Sequence, residues 1–492
     1  MRLSDTLNGI DYTLLRGDLE KEISGIYYDS RRLTPGSLFV CVSGLKTDGH
    51  LYINEAIKNG ATAILAERKV ETDETITFVL TNDSRKAMPF LAANFYKEPS
   101  RDMRVIGVTG TNGKTTTAHL LRAILEEADR KTGIMGTLYA KIDENEKILG
   151  HTTPEAFEIE EFMSMSREKD GEYIVMEVSS HALDLNRVDR IYFDAAIFTN
   201  LSQDHLDYHK DINNYKNAKL KLFRMLPEKP AAFSIINADD AFAADFLEAA
   251  GKNSFTYGIS NDADFQARDV NVSLKGSSFT VKHAAGEFSV KMKLVGLFSV
   301  YNALAAISFA LKEGIDQPII KSALEKVQGV PGRFEQVDCG QDFTVIVDYA
   351  HTPDGLENIL KTARDIVENR LITVFGCGGD RDRMKRPLMG EAAARYSDFC
   401  VVTSDNPRSE EPEAIIEDII PGLNKVENSR YAIIADRREA IRHAIYLGRK
   451  GDLIVIAGKG HENYQLIGGQ ILDFDDRKVA REFIEDKLQS SL

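Results

Sequence analysis

A glycine-rich turn between a predicted strand and a predicted helix constrains this chain more than any other feature. Residues 107–117 read GVTGTNGKTTT; they follow a short apolar run and precede a segment whose apolar side chains have helical spacing. Glycines let backbone N–H groups approach phosphate oxygens, Lys114 neutralises charge, and the Thr115 hydroxyl can bind Mg²⁺. The strict phosphate-loop pattern has glycine where this chain has Val108, so an ordinary glycine turn that caps a helix is the alternative. Because a strand, a loop and a helix occur in the right order, we predict an ATP or GTP site.

The length and composition of the chain restrict its class. The 492 residues exceed what one hydrophobic core organises, so we expect two to four domains. The net charge of −15 argues against bulk binding to nucleic acid or to anionic membranes. No apolar run approaches membrane-spanning length, and the N-terminus lacks the apolar core of a signal peptide. The cysteines are scattered without metal-ligand spacing, which favours reduced thiols and a cytosolic protein.

The order of predicted elements divides the chain at two places. Residues 1–100 mix strand-like runs with short helices and end in a polar, proline-bearing segment at 96–101. Residues 101–332 begin with the glycine-rich turn, alternate strands with helices, and include a hairpin-like stretch at 264–293. In residues 333–492, alternating strands and helices predict a doubly wound parallel sheet, with one helix expected after Pro387. We therefore predict an α/β protein whose ligand loops lie at the carboxyl ends of its strands.

Polar clusters follow two predicted strands of the central region. Glu177 comes directly after a buried strand, where a carboxylate can hold Mg²⁺, although an exposed strand-end glutamate is the simpler alternative. The segment 200–209 carries two histidines and two aspartates within six residues, which are either metal ligands or ordinary loop residues. The next segment predicts an amphipathic helix, on which spacing alone makes Lys219 and Lys221 equivalent surface charges.

Taken together, these blocks resemble the Mur ligases, ATP-dependent enzymes that form amide bonds in peptidoglycan precursors. The resemblance covers the whole chain and is carried by residues 110–116, 176–183, 204–209, 215–223, 302–306, 331–333, 348–351 and 378–382. It implies an N-terminal UDP-sugar domain, a central phosphate-loop ATPase with a mostly parallel sheet, and a C-terminal Rossmann-like domain for the incoming amino acid. Two positions depart from the family pattern: Ser299, where asparagine is usual, and Leu185, where some members have glutamine.

The resemblance also implies roles for particular residues in ATP and Mg²⁺ binding. The implied ATP contacts are Gly110, Thr111, Asn112, Gly113, Lys114, Thr115, Thr116, Asn302, Arg333 and Asp348. The implied catalytic residues are Lys114, Glu177, His205 and Lys219, the last of them carbamylated. The implied metal ligands are Thr115, Glu177, His205 and Lys219. The reaction activates a carboxylate as an acyl phosphate, which an amine then attacks, so positioning and electrostatics would supply most of the catalysis.

The same comparison implies which substrates are joined. Residues that resemble contacts to UDP-N-acetylmuramoyl-L-alanyl-D-glutamate are Ser30, Lys46, Thr152, Thr153, Ser179 and Arg187. Residues that resemble contacts to meso-diaminopimelate are Arg381, Asp405, Asn406, Pro407, Arg408, Gly458 and Glu462. The sequence Asp-Asn-Pro-Arg at 405–408 is by itself only a turn signal. In this family it marks the enzymes that add meso-diaminopimelate, because a guanidinium can pair with the distal carboxylate that lysine lacks.

Three other interpretations remain at this stage. A lysine-adding homologue would lack the arginine at 408, and a folylpolyglutamate synthetase would lack the separate UDP-sugar domain. A non-catalytic nucleotide switch or transport ATPase would not need two further domains with site-like loops. We therefore expect a cytoplasmic, ADP-forming ligase that uses ATP and Mg²⁺, acts as a monomer, and binds neither nucleic acid nor membranes.

Overall fold

The computed structural model describes residues 1–44, 47–72, 75–228 and 231–490. Within these ranges the strands form sheets of five, eleven, six and two strands, in that order along the chain. Helices cover the faces of the three larger sheets. None of the helices in the described ranges combines the length and the hydrophobicity that crossing a membrane requires.

The N-terminal sheet has the order β1-β5-β4-β3-β2, in which β1 is antiparallel and the others are parallel. Its strands are β1 (Tyr12–Arg16), β2 (Ile26–Tyr27), β3 (Ser37–Val40), β4 (Ala61–Ala66) and β5 (Thr77–Thr81). The accompanying helices are α1 (Leu3–Thr6), α2 (Ile53–Lys58) and α3 (Ser84–Tyr96). The apolar residues of β3 and β4 are buried on both faces, as helix-covered parallel strands require.

The central sheet is parallel in its middle and continues into antiparallel strands at both edges. Its strands are β6 (Arg104–Thr109), β7 (Thr132–Met135), β8 (Ala140–Ile142), β9 (Asn145–Lys147), β10 (Tyr173–Glu177), β11 (Ala195–Phe198), β12 (Phe233–Asn237), β13 (Ser254–Gly258), β14 (Phe265–Ser273), β15 (Gly276–His283) and β16 (Gly286–Met292). Its helices are α4 (Lys114–Glu127), α5 (Ala156–Glu168), α6 (Ser180–Asp184), α7 (Leu206–His209), α8 (Ile212–Arg224), α9 (Ala243–Ala250), α10 (Leu297–Lys312) and α11 (Gln317–Lys326).

Alternate residues of β6 belong to two different hydrophobic cores. Ile106 and Val108 pack in the core that contains α4 and α10, whereas Val105 packs in the core that contains α8. Since β6 lies between β11 and β10, and β10 lies next to β7, the carboxyl ends of these parallel strands meet at one edge. This edge carries the predicted phosphate loop.

The C-terminal sheet has helices on both faces and the order β17-β18-β22-β19-β20-β21. Its strands are β17 (Glu335–Gln336), β18 (Thr344–Asp348), β19 (Leu371–Phe375), β20 (Phe399–Val402), β21 (Tyr431–Ile433) and β22 (Leu453–Ala457), followed by the hairpin of β23 (Tyr464–Ile467) and β24 (Gln470–Asp473). Its helices are α12 (Pro353–Ile366), α13 (Lys385–Tyr396), α14 (Pro412–Leu423), α15 (Arg437–Leu447) and α16 (Asp476–Ser490).

The predicted α/β class and the doubly wound C-terminal sheet are confirmed. One helix start differs from the prediction: α13 begins at Lys385, not after Pro387. Pro387 is therefore the third residue of that helix. Proline is tolerated there because the first-turn N–H groups have no partner within the helix.

Candidate active site

The predicted phosphate loop lies between β6 and α4. Lys114 is the first residue of α4, and Gly113 precedes it with φ of +87°. A Cβ at Gly113 would lie 2.3 Å from Asn302 Oδ1, so any other residue would displace the Asn302 side chain and would also be strained by the positive φ. Asn302, for which the family resemblance implies an ATP contact, therefore packs directly on this loop. The strand, loop and helix expected from the sequence are all present.

Two lysines donate to the same carbonyl oxygen. Lys114 Nζ lies 2.9 Å and Lys219 Nζ lies 2.8 Å from the carbonyl oxygen of Gly110. Lys219 belongs to α8, which Asp211 caps, and only 1% of it is exposed. Burial and the charge of Lys114 hold the pKa of Lys219 well below its ordinary value.

The interpretation of Lys219 as one more helix surface charge is therefore wrong. Lys221, two positions further along α8, is 43% exposed and pairs with Asp184 at 3.1 Å. The two lysines were equivalent by spacing, but the helix turns Lys219 towards the phosphate loop.

The carboxylate of Glu177 is fully buried at the end of β10. Its Oε2 accepts hydrogen bonds from the hydroxyls of Thr115 at 2.9 Å and Thr137 at 3.0 Å, and its Oε1 accepts one from the Thr137 N–H at 2.8 Å. Glu177 has no ion-pair partner among the described residues. A buried carboxylate surrounded by hydroxyl groups is a suitable ligand for Mg²⁺, which prefers oxygen ligands.

His205 lies in the αL conformation just before α7, with its ring 4.8 Å from that of His181. Its Nε2 is 3.4 Å from Asp204 Oδ2. Desolvation lowers the pKa of His205 more than the carboxylate of Asp204 raises it, and the charge of Lys219 lowers it further. His205 and Lys219 are thus close enough to interact, and a neutral imidazole can bind a metal.

In the described part of the chain, no group of three or more His, Cys, Asp or Glu side chains is arranged to hold a metal ion. Only two of the four expected ligands, Glu177 and His205, are of these residue types; the other two are Thr115 and Lys219. The expected set therefore depends on a threonine hydroxyl and on chemical modification of Lys219.

A loop before β17 reaches the phosphate loop from the C-terminal sheet. Arg333 Nη2 donates to Thr115 Oγ1 at 3.0 Å, and its guanidinium lies 4.6 Å from the centre of the Tyr349 ring. Asp348 Oδ2 accepts from the N–H of Phe334 at 2.6 Å, which anchors this loop to the end of β18. Arg333 is therefore brought to α4, and Asp348 holds the loop that carries it.

The residues expected to contact the muramoyl dipeptide occupy two places. Thr153 Oγ1 donates to the carbonyl oxygen of Glu177 at 2.9 Å, and Thr152 contacts Thr137 at 3.1 Å. Arg187 Nη1 donates to the carbonyl oxygen of Thr153 at 2.8 Å, and Ser179 caps α6 beside them. Ser30 lies in the N-terminal sheet unit, buried in a short 3₁₀-helix. Lys46 falls outside the described residues.

The carboxyl ends of β20 and β22 bring together the residues expected to contact the amino acid. Asn406 Nδ2 donates to Glu462 Oε2 at 2.8 Å, and buried Lys459 donates to both side chains, at 3.1 and 3.0 Å. Asp405 Oδ2 is buried without a hydrogen-bond partner among the described residues. A Cβ at Gly458 would lie 2.4 Å from this oxygen, so glycine leaves room for Asp405.

Arg408 follows Pro407 and lies in the αL conformation, with φ of +56°. Its Nη1 donates to the carbonyl oxygen of Gly379 at 2.8 Å, which links this loop to the one carrying Arg381. The side chain of Arg381 donates to the backbone carbonyl oxygen of Asp380 and is otherwise exposed. The two arginines therefore lie on neighbouring loops, and Arg408 has the more restricted position.

Sequence reasoning missed three residues that complete these clusters. Thr137 holds both oxygens of Glu177, Asn200 Oδ1 accepts from the N–H of Asn112 at 2.9 Å, and Lys459 neutralises Glu462. Thr137 and Asn200 each follow a parallel strand closely. Position after a strand was the signal that could have found them.

The phosphate loop, the buried Glu177 and Lys219, and the separate amino-acid loop are features of an ATP-dependent ligase site. Family models match residues 22–96 (Mur ligase family, catalytic domain), 108–310 (Mur ligase middle domain) and 332–460 (Mur ligase, glutamate ligase domain). The chain belongs to the Mur ligase family, which confirms the resemblance found in its motifs.

Several similar proteins share one name. A UDP-N-acetylmuramoyl-L-alanyl-D-glutamate–2,6-diaminopimelate ligase of Syntrophomonas wolfei is 61% identical, over 99% of this chain and 100% of the relative. A ligase of the same name from Caldanaerobacter subterraneus is 46% identical, over 99% of both chains. A solved structure of a ligase of this name is 33% identical, covers 99% of both chains, and has a TM-score of 0.67.

Proposed function

We propose that this chain joins meso-2,6-diaminopimelate to UDP-N-acetylmuramoyl-L-alanyl-D-glutamate, with cleavage of ATP to ADP and phosphate, in peptidoglycan precursor synthesis. The observation that carries the proposal is 61% identity over almost the entire chain to a ligase of that name. The motifs at both ends of the cleft support the same activity.

The first half of the reaction makes an acyl phosphate. An oxygen of the D-glutamyl γ-carboxylate bonds to the γ-phosphorus of ATP, the bond from that phosphorus to its bridging oxygen breaks, and ADP leaves. Lys114 would exchange its bonds to backbone carbonyls for bonds to phosphate oxygens. Arg333 adds a second positive charge from across the cleft, next to Thr115.

The residues present fit Mg²⁺. Thr115 and Glu177 would supply oxygen ligands to one ion, and His205 with a carbamylated Lys219 would supply ligands to a second. When bound, Mg²⁺ neutralises charge that develops on the transferring phosphoryl group. Carbamylation requires a neutral amine, whose nitrogen bonds to the carbon of CO₂ and releases a proton. Burial lowers the pKa of the Lys219 amine and so favours this neutral form.

In the second half, the amine of diaminopimelate attacks the carbonyl carbon of the acyl phosphate. Phosphate leaves and the amine loses a proton. The carboxylate of Glu462 and the guanidinium of Arg408 would hold the distal ammonium and the distal carboxylate of the amino acid. L-lysine lacks the distal carboxylate, so its binding would leave Arg408 unpaired.

We further propose domains at residues 1–100, 101–332 and 333–492, a cytoplasmic location and a monomeric enzyme. The unpaired thiols of Cys41, Cys339, Cys377 and Cys400 in the described structure support the reducing compartment. The family match at residues 22–96, before the phosphate loop, supports a separate N-terminal domain of the Mur ligase type, which a folylpolyglutamate synthetase would lack.

A phosphate-release assay tests the proposal. It contains the protein, ATP, Mg²⁺, the UDP-linked dipeptide and either meso-diaminopimelate or L-lysine. We expect rapid release that requires the dipeptide and is much faster with diaminopimelate. Equal rates with the two amino acids would overturn the specificity, and release without any amino-acid dependence would overturn the ligase assignment.

A further inference from the structure

A cluster of charged side chains joins α3 of the N-terminal sheet unit to the central sheet unit. Glu155, just before α5, forms a 2.9 Å salt bridge with Arg187 Nη2 and a 3.4 Å salt bridge with Arg85 Nη1. The exposed fractions of these side chains are 14% for Glu155, 11% for Arg187 and 25% for Arg85. One carboxylate thus balances two guanidinium groups where there is little water.

The cluster has unused hydrogen-bonding capacity. Arg187 Nε is buried and lacks a partner among the residues that the structure describes. Arg187 Nη1 is already held by the carbonyl oxygen of Thr153. Two guanidinium groups carry ten N–H donors between them, far more than Glu155 and one carbonyl can accept. A second carboxylate would neutralise the remaining positive charge of the two guanidinium groups and would accept hydrogen bonds from their remaining N–H donors.

The cluster also faces the reaction site. Arg187 is bonded to Thr153, and the Thr153 hydroxyl is bonded to the backbone of Glu177. The charges of Arg85 and Arg187 both act on the hydroxyl of Tyr208, on the helix that follows His205. An anion bound between the two arginines would therefore lie beside the predicted phosphate and metal ligands.

We propose that Arg85 is a second binding residue, together with Arg187, for the dipeptide carboxylate that does not react, and that Glu155 occupies this subsite until the substrate arrives. The inference rests on the proposed function. The D-glutamyl residue carries two carboxylates; the γ-carboxylate must reach ATP, which leaves the α-carboxylate charged inside a closed cleft. Because Arg85 belongs to the N-terminal sheet unit, its bond to this carboxylate would also hold that unit against the central sheet when substrate binds.

Calorimetric binding of two ligands tests the proposal. One ligand is UDP-N-acetylmuramoyl-L-alanyl-D-glutamate, and the other is its D-isoglutamine analogue, in which the α-carboxylate is an amide and the γ-carboxylate is retained. Arg85→Gln should raise the Kd of the first ligand roughly 10- to 100-fold, the loss expected for a charge-assisted hydrogen bond. It should change the Kd of the amide analogue less than about twofold. Lys86→Gln removes a charge from the adjacent, 71% exposed position and should change neither Kd.

A second variant tests the role of Glu155. Glu155→Gln removes the competing carboxylate, so the natural ligand should bind more tightly while the amide analogue is unaffected. An equal loss of both ligands in Arg85→Gln, or no loss, would overturn the proposal, as would weaker binding of the natural ligand to Glu155→Gln. Failure of the proposed function is distinguishable, because the wild-type protein would then not bind the natural ligand at all.

Discussion

The guanidinium of Arg333 donates a 3.0 Å hydrogen bond to the hydroxyl of Thr115, a residue 218 positions earlier in the chain. The Thr115 hydroxyl in turn donates to Glu177 at 2.9 Å. These bonds connect the loop before the C-terminal sheet with the phosphate loop and the end of β10. The proposed nucleotide site therefore includes residues from both the central and the C-terminal sheet units.

Replacing Arg333 should weaken nucleotide use. Arg333→Ala removes a positive charge beside Thr115, and we expect the KM for ATP to rise about tenfold or more. Steady-state kinetics at saturating dipeptide and diaminopimelate measure this change. Arg438→Ala, at an exposed site on α15, is the control and should keep the wild-type KM. An unchanged KM for ATP in Arg333→Ala would contradict a nucleotide role.

The buried amine of Lys219 should be essential. Lys219→Ala removes the group that would be carbamylated, and we expect activity to fall by on the order of 100-fold or more. Added formate or acetate should restore part of the activity, since a small carboxylate can enter the space that the side chain leaves. Lys221→Ala, on the same helix but 43% exposed, should remain active. Full activity of Lys219→Ala would disprove the carbamate role.

The preference for diaminopimelate should depend on Arg408. Arg408→Asn keeps a residue that tolerates the observed φ of +56° but removes the guanidinium. We expect the KM for diaminopimelate to rise roughly 10- to 100-fold while the KM values for ATP and the dipeptide stay close to wild type. The control is Arg383→Gln, whose side chain is 64% exposed and pairs with Asp418. A rise in all three KM values would instead indicate a general structural defect.

Glu160 should make the folded protein less stable as the pH rises. Its side chain is 1% exposed, both oxygens lack a partner within the described ranges, and burial raises its pKa from 4.5 to about 8. Between these two pKa values the folded state holds a proton that the unfolded state releases, so the free energy of unfolding falls as pH increases. Glu160→Gln lacks this titration.

The free energy of unfolding of the variant minus that of wild type should therefore increase by about 2 to 3 kcal/mol as the pH is raised from 5.5 to 7.5. Urea unfolding at several pH values measures the difference. Glu161→Gln changes the next residue of α5, which is 50% exposed, and should give a difference independent of pH. Parallel pH curves for wild type and Glu160→Gln would show that Glu160 does not bind a proton in this range.

The phosphate loop and Glu177 could be predicted because their signals are local. A buried strand followed by glycines and a helix start is visible within about 25 residues, and Glu177 ends its own strand. Thr137 was missed because β7 is short and contains glycine, so it does not stand out as a strand. The burial of Lys219 could not be derived from spacing, since the same helix carries Lys221 in an equivalent sequence context.

The sequence by itself determined the local elements, their order, and the motifs that identify the family. Strand periodicity, glycine at Gly113 and the Asp211 cap act over a few residues, so they can be recognised without knowing the fold. Only the tertiary structure decided that Lys219 meets the carbonyl of Gly110, that Arg333 meets Thr115, and that Glu155 binds both Arg85 and Arg187. The first two contacts join residues more than a hundred positions apart, and Arg85 lies 70 positions before Glu155. Their energies depend on burial and on neighbouring charges, which exist only after the sheets have packed together.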